Sequence, residues 1–296
     1  QFAWISPHTT KILTEFFIVD IRSISSGLEL GEDGIWYSRN AQDISYPSGG
    51  NESCFALEDG SFWFRHRNNC IASVVKTFPP KDGGTIFDVG GGNGFVALGL
   101  ANSGFDVALL EPGREGASNA KTRGLRNVIC ATTETAGLKQ QSLSAVGLFD
   151  VIEHIENDQT FLQSICHLMK NDGRLYATVP SYSFLWSEED VEAGHYRRYT
   201  LKSICQVLES AGFQIEFSTY IFSFLPVPIF LLRSLPYRLG LSRKQKDAKS
   251  ASRDHAIGGG STSRVLDSML QKEIRKLDKG KSMRFGGSCL LVAKRP

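Results

Sequence analysis

Residues 85–95 read TIFDVGGGNGF. A short β-like run enters a loop with glycines at 90, 91, 92 and 94, and residues 95–103 then follow with helical spacing. Glycine lets a chain turn sharply and approach a ligand closely. The helix start behind such a loop offers free N–H groups. Three classes of ligand use a strand–glycine loop–helix unit, and spacing separates them. A dinucleotide loop, G-x-G-x-x-G, counted from Gly90 and Gly92, requires glycine at 95, where Phe95 stands. A phosphate loop requires Lys and then Ser or Thr after its last glycine, and no Lys follows here. The pattern left is D-x-G-x-G-x-G, from Asp88 to Gly94.

Working outward, the next apolar strand, residues 106–110 (DVALL), runs into Glu111, 19 residues beyond Gly92. A carboxylate at that strand end can accept hydrogen bonds from both hydroxyls of a ribose. The alternation continues. Strands are predicted at 127–131, 145–149, 174–179, 214–220 and 288–293. Helices are predicted at 116–123, 157–170 with Asn157 as N-cap and a stop at 171–173, and 200–211 with Thr200 as cap. Short apolar strands alternating with helices mean an α/β fold with a parallel sheet covered on both faces. Ligands in such a sheet bind beyond the C-terminal strand ends, here after residues 89, 110, 131 and 149. Apolar residues at 63, 71, 74, 75 and 78 predict a further amphipathic helix over 62–78. Residues 1–50 read as a loosely organised extension, 241–262 as a flexible basic loop, and 263–279 as a helix returning the chain to the sheet.

Bulk properties set the class. The chain has 296 residues, 41% hydrophobic and 22% charged, as expected of a globular protein. Net charge is +2, unevenly spread: residues 1–232 hold 17 Lys and Arg against 26 Asp and Glu, and residues 233–296 hold 16 against 5. The six cysteines are scattered without metal-ligand spacing, so reduced buried thiols and no metal site are expected. Asn51-Glu52-Ser53 fits a glycosylation sequon, but no signal peptide is read, and a cytoplasmic location is expected. The first residue is Gln1 rather than Met, so upstream residues are expected. The most apolar run, 220–232, is interrupted by Pro226 and Pro228 and is too short to span a bilayer.

The segment 144–213 contains LFDVIEHIEND, LMKNDGRLYATVPSY and GHYRRYTLKSICQVLESAGF, with EDGSFWFRHRNNCI upstream. With the glycine loop and Glu111, these stretches resemble class I S-adenosylmethionine (SAM)-dependent methyltransferases of the ubiquinone-biosynthesis type. The resemblance covers roughly 55–232 and returns at the last strand. It implies a Rossmann-like, seven-stranded, mostly parallel sheet with an antiparallel last strand. The division is then 1–54 as extension, 55–222 as SAM-binding core, 223–285 as an apolar and basic lid or capping insertion, and 286–296 as the last strand. The cofactor implied is SAM, released as S-adenosylhomocysteine. By position, Gly90, Gly92 and Gly94 contact its methionine part and Asp88 holds the loop. Glu111 binds the ribose, with Pro112 beside the adenine. Residues 132–134, centred on Thr133, border the adenine, although this loop departs from the usual acidic pattern. Phe149 and Asp150 lie near the sulfonium. Arg67 either pairs with the SAM carboxylate or is a surface charge.

Methyl transfer to oxygen needs an aligned acceptor and a proton acceptor. His154 and His195 are the candidate catalytic bases, each with a structural loop-fixing role as the alternative. Arg197 and Arg198 either grip an anionic acceptor or pair with Glu188, Glu189 or Asp190. The expected acceptor is a small molecule, a lipid-linked molecule or a glycan. The apolar run with Arg233, Arg238, Arg243, Lys244 and Lys246 fits peripheral membrane contact through 220–246, or a capping element packed on the sheet. Nucleic acid is not expected, because FDVIEH replaces the Asn/Asp-Pro-Pro-aromatic motif after the fourth strand. A SAM-binding module without catalysis and a nucleic-acid methyltransferase are the alternatives. The acceptor and the oligomeric state are left open.

Overall fold

The computed structural model describes residues 19–39, 58, 61–241 and 261–296. Its strands are β1 (Leu28–Leu30), β2 (Trp36–Ser38), β3 (Ile86–Val89), β4 (Val107–Leu110), β5 (Asn127–Cys130), β6 (Leu143–Phe149), β7 (Met169–Pro180), β8 (Gln214–Ile221) and β9 (Ser288–Lys294). They form one sheet in the order β1-β2-β5-β4-β3-β6-β7-β9-β8. From β2 to β7 every neighbouring pair is parallel, whereas β9 runs antiparallel to both β7 and β8.

All residues of β3, β4 and β5 are buried. Alternate side chains divide between the two faces. Phe87, Val89, Ala108 and Leu110 join Leu162, Ile165, Ile204 and Leu208 of the helices Asp158–Leu168 and Leu201–Ser210. Ile86, Val107 and Leu109 join Ile71, Val75, Ala97, Leu100 and Ala117 of the helices Phe62–Thr77, Phe95–Asn102 and Arg114–Thr122. Burial on both faces is why these strands carry no polar alternation. Local signals set the helix starts. Asn157 accepts from Thr160 N–H at 3.1 Å, and Thr200 and Ser203 form a reciprocal capping box.

The structure departs from expectation in three places. Among the described residues nine strands replace seven. Residues 28–38, expected to be loose, supply β1 and β2, and β2 pairs in parallel with β5 through Trp36↔Ile129 and Tyr37↔Cys130. Strands of three residues show no readable periodicity, and the parallel partner of β2 lies about ninety positions away. The helix expected to reach residue 170 ends at Leu168, and β7 begins at Met169, paired with Leu143. Asp172, at φ 61°, turns within this strand rather than after a helix. Residues 242–260 of the predicted flexible loop lie outside the described residues, as do Cys54 and the Asn51 sequon.

After β8 the chain forms a helical run over residues 226–238, with Val227, Leu231, Leu232 and Leu239 exposed. The helix Ser261–Leu277 then packs on Phe62–Thr77. Its buried Glu273 accepts hydrogen bonds from His66 Nε2 (2.9 Å), Phe222 N–H (3.0 Å), and the N–H (2.6 Å) and hydroxyl of Ser223. Burial would raise this carboxyl, but those hydrogen bonds outweigh it and hold it below the usual range. Cys70, Cys130, Cys166, Cys205 and Cys289 are free thiols. Among the described residues no helix is long and apolar enough to cross a membrane.

Candidate active site

The strand order reverses direction between β3 and β6, which opens a crevice at their C-terminal ends. The glycine loop leaves β3 into it. Gly90, Gly92 and Gly94 take φ of 71°, 53° and 75°, where a side chain is strained. A Cβ on Gly92 would meet nothing within 4 Å, so its open side faces free space. A Cβ on Gly94 would press on Leu125 and Ala120, so that glycine is set by packing.

Glu111 faces the loop from the end of β4. Its two oxygens accept from Gly92 N–H at 2.9 Å and Gly113 N–H at 2.8 Å, and only 4% of the residue is exposed. A carboxylate oxygen accepts more than one hydrogen bond, so acceptor capacity is left for a diol. Burial raises the Glu111 carboxyl, and the two amides pull it back. Asp88 is buried under the loop beside Gly91, and burial pushes its carboxyl up to about 7 despite the nearby charge of Arg67. Pro112 lies beside β5, where Cys130 Sγ approaches its carbonyl at 3.7 Å. Thr133 sits on the turn that follows β5, bonded to Glu134 at 3.0 Å, and that turn is closed by Thr132 and Thr135.

Across the crevice the turn after β6 is built by side chains. Asp150 has φ 58°, accepts from Thr178 Oγ1 at 2.9 Å, and pairs with Arg67. Arg67 lies over the Trp63 ring at 4.8 Å, and Trp63 stacks on Phe222. Arg67, read from the sequence as either a partner of the cofactor carboxylate or a surface charge, is buried and paired with the Asp150 carboxylate. The Phe149 ring folds over Gly147 into the apolar layer, so only its backbone marks the strand end.

The two histidines, 41 positions apart, meet edge to face with ring centroids 4.8 Å apart. His154 stands on the turn Ile152–His154, and His195 on the loop after β7, which docks through Tyr196 N–H to Glu153 O at 2.8 Å. Burial, and then the neighbouring His195, lower the basicity of His154. Burial, and then the Asp150 charge, hold the Glu153 carboxyl well above its usual range. Arg198 pairs with Asp190 at 2.7 Å, one of its expected partners, whereas Arg197 pairs with Asp158 at 2.8 Å. Sequence reading named Asp190 only as a candidate partner of the two arginines, and did not single out Glu153 or Thr178 as site residues. Only the fixed offset of Asp190 from His195 was there to be noticed.

Residues 63–216, just over half the chain, match the family described as the methyltransferase domain. The chain belongs to this family. It is a class I SAM-dependent methyltransferase in family and fold, and SAM is its cofactor. The methyltransferase is 32% identical over 135 residues to the ubiquinone biosynthesis O-methyltransferase of Rickettsia felis, covering 41% of this chain and 54% of that protein. It is 27% identical over 123 residues to the mitochondrial enzyme of that name from Homo sapiens, covering 38% and 33%. The matched stretch thus spans about a third to a half of these relatives. Among solved structures, a complex of the Haloferax volcanii Trm112 methyltransferase activator with a methyltransferase gives TM-score 0.53 at 14% identity, covering 83% of this chain and 95% of that one. The cyclase SpnF gives 0.51 at 16% identity, covering 79% and 82%. At these identities the likeness concerns the fold alone.

The residues fit the cofactor. The amide-held Glu111 suits a ribose diol, and the open left-handed glycines suit close approach of an amino-acid chain. Gly90, Gly92, Gly94, Glu111 and Pro112 are the groups that would hold it.

Proposed function

We propose that this methyltransferase methylates an oxygen of a small-molecule or lipid-linked acceptor, with His195 as the group that takes the acceptor's proton. The observation that carries this reading is the joined His154–His195 pair beside the Asp150 turn, across the crevice from the glycine loop. Bound SAM supplies a methyl group already activated by sulfonium, so the protein's own task is alignment and proton removal. Gly90, Gly92, Gly94 and Glu111 align the cofactor, and Asp88 supports the loop from below. Asp150, fixed by Arg67 and Thr178, shapes the wall between cofactor and acceptor. His195 receives the proton, and His154, packed on its ring, limits where that ring can turn.

The relatives' printed names, ubiquinone biosynthesis O-methyltransferases, support oxygen as the atom and a small molecule as the class. The fold alone does not choose, since a cyclase shares it. The test is incubation of the protein with SAM labelled in the methyl group and a panel of phenols, catechols and lipid extracts. Label in an alkali-stable methyl ether supports the reading. Label only in amines, carbon or nucleic acid, or S-adenosylhomocysteine formed without any acceptor, overturns it.

The exposed leucines of residues 226–238 support a membrane-delivered acceptor. Phe230 of this run touches Phe184 on the loop after β7, ring centroids 6.0 Å apart, so the apolar surface adjoins the proposed acceptor side. No acidic residue occurs between 220 and 246, whereas five cations do, a pattern that suits anionic headgroups. Flotation with vesicles rich in anionic lipid, lost at high salt or on replacing Leu231 and Leu232 with Ser, is the expected result.

A further inference from the structure

We infer that Asp190 is a positioning residue for His195, fixing the ring so that Nδ1 carries the proton and Nε2 is left as the free acceptor. The inference rests on the proposed role of His195 and concerns what makes that role available. Asp190 is 1% exposed, although the residues just after it, 191–194, are open to solvent. Its Oδ1 accepts from His195 Nδ1 at 2.8 Å and from Arg198 Nε at 2.7 Å. Its Oδ2 accepts from Ser187 N–H at 2.8 Å. The main chain repeats the grip, since His195 N–H donates to the Asp190 carbonyl at 2.9 Å. The histidine is therefore held at its backbone and at one ring nitrogen by a single residue five positions earlier.

The tautomer follows from donor counting. An ionised carboxylate only accepts hydrogen bonds, so the ring nitrogen facing it must be the donor. In a neutral imidazole the other nitrogen then carries the lone pair. Asp190 is ionised across the working range. Burial would raise its carboxyl, but the hydrogen bonds from His195 and Arg198 outweigh this and hold it at about 2. The other groups around the ring are His154, packed at 4.8 Å, Arg198 on the shared carboxylate, and Glu153, a carboxylate oxygen of which lies within 4.8 Å of a ring nitrogen of each histidine. Arg198 also reaches the Ser181 carbonyl at 3.2 Å, tying the carboxylate to the end of β7. In turnover, one proton leaves the acceptor hydroxyl for Nε2 per methyl transferred, and His195 then returns it to solvent.

Asp190 also closes the capping box of the short helix Glu188–Glu192 through Ser187. A purely structural role would make Asp190→Asn unstable without altering the imidazole, so the decisive readout is the ring itself. Long-range proton–nitrogen NMR on labelled, cofactor-free protein should show His195 of the wild type as the Nδ1–H tautomer. In Asp190→Asn that population should fall, and kcat should drop on the order of 100-fold or more, with SAM affinity unchanged. The double variant with His195→Ala should be no slower than His195→Ala alone. An Nε2–H tautomer in the wild type, or a folded Asp190→Asn that keeps wild-type kcat, overturns the inference. If Asp190→Asn does not fold, the wild-type spectrum decides by itself. That spectrum needs neither acceptor nor turnover. A failure of the proposed methylation would therefore appear as absent product beside an intact Nδ1–H signal, distinct from a failure of this inference.

Discussion

Between β3 and β4, the groups facing the crevice are backbone amides, glycines and one carboxylate held by those amides. Between β6 and β7, they are long side chains fixed by one another: Arg67 on Asp150, Asp190 on His195, His195 against His154. The first half is rigid because main chain positions it, and a side chain added at Gly94 would press on Leu125 and Ala120. The second half is rigid only while each partner is present, so one truncation loosens several groups. Such a division suits an enzyme whose cofactor is constant and whose acceptor must be selected, since side chains are replaced more readily than backbone turns.

The comparison is sharpened most by His195→Ala. Turnover should fall by about 100-fold to 10,000-fold, the range for a general base, while calorimetry shows SAM binding within twofold of wild type. Equal loss of binding would mean that the two halves are not separate. Glu111→Ala should do the converse. We expect SAM and S-adenosylhomocysteine affinity to weaken by about 100-fold, through lost ribose acceptors and a released Gly92 amide. Its melting temperature should change little when the cofactor is absent. Gly94→Ala tests the claim that backbone geometry governs the cofactor side. Its Cβ would lie 2.6 Å from Leu125 Cδ1 at a left-handed φ, and urea titration should show a loss of about 1–3 kcal/mol.

The smallest effect is a difference in the sign of the pH response. Asp190 has a folded carboxyl near 2 against an ordinary 3.8. Its contribution to stability is therefore full above the ordinary value and lost as pH falls from about 4 towards 2. Asp88 is raised to about 7. The unfolded chain gives up that proton near 3.8 and the folded one only near 7, so stability falls as pH rises between those values. Urea midpoints of Asp190→Asn should lose the acid slope, and those of Asp88→Asn the slope between pH 4 and 7. The same slopes in both variants would contradict the assignment.

What could be read from the residues followed the same division. The glycine loop, Glu111, the buried strands and the caps Asn157 and Thr200 are local patterns, in which a few neighbouring residues determine the geometry. The pairs Arg67–Asp150 and His154–His195 join positions 83 and 41 apart. No periodicity encodes such pairs. The histidines read one by one as candidate bases, but their contact and the Asp190 hydrogen bond to His195 needed the fold. β1 and β2 escaped for another reason. Each is three residues long, and β2 exists because the open edge of β5 offers it hydrogen bonds. Glu273 could pass for a surface residue of an amphipathic helix until the turn after β8 was found to end on it.

β9 lies between β7 and β8, and among the described residues β8 has no other strand beside it. A chain leaving the ribosome therefore carries β8, with the apolar run after it, as an unpaired ribbon until residues 288–294 emerge. Loss of residues 288–294 would remove an interior plank of the sheet, and would expose β7 and β8 together to aggregation.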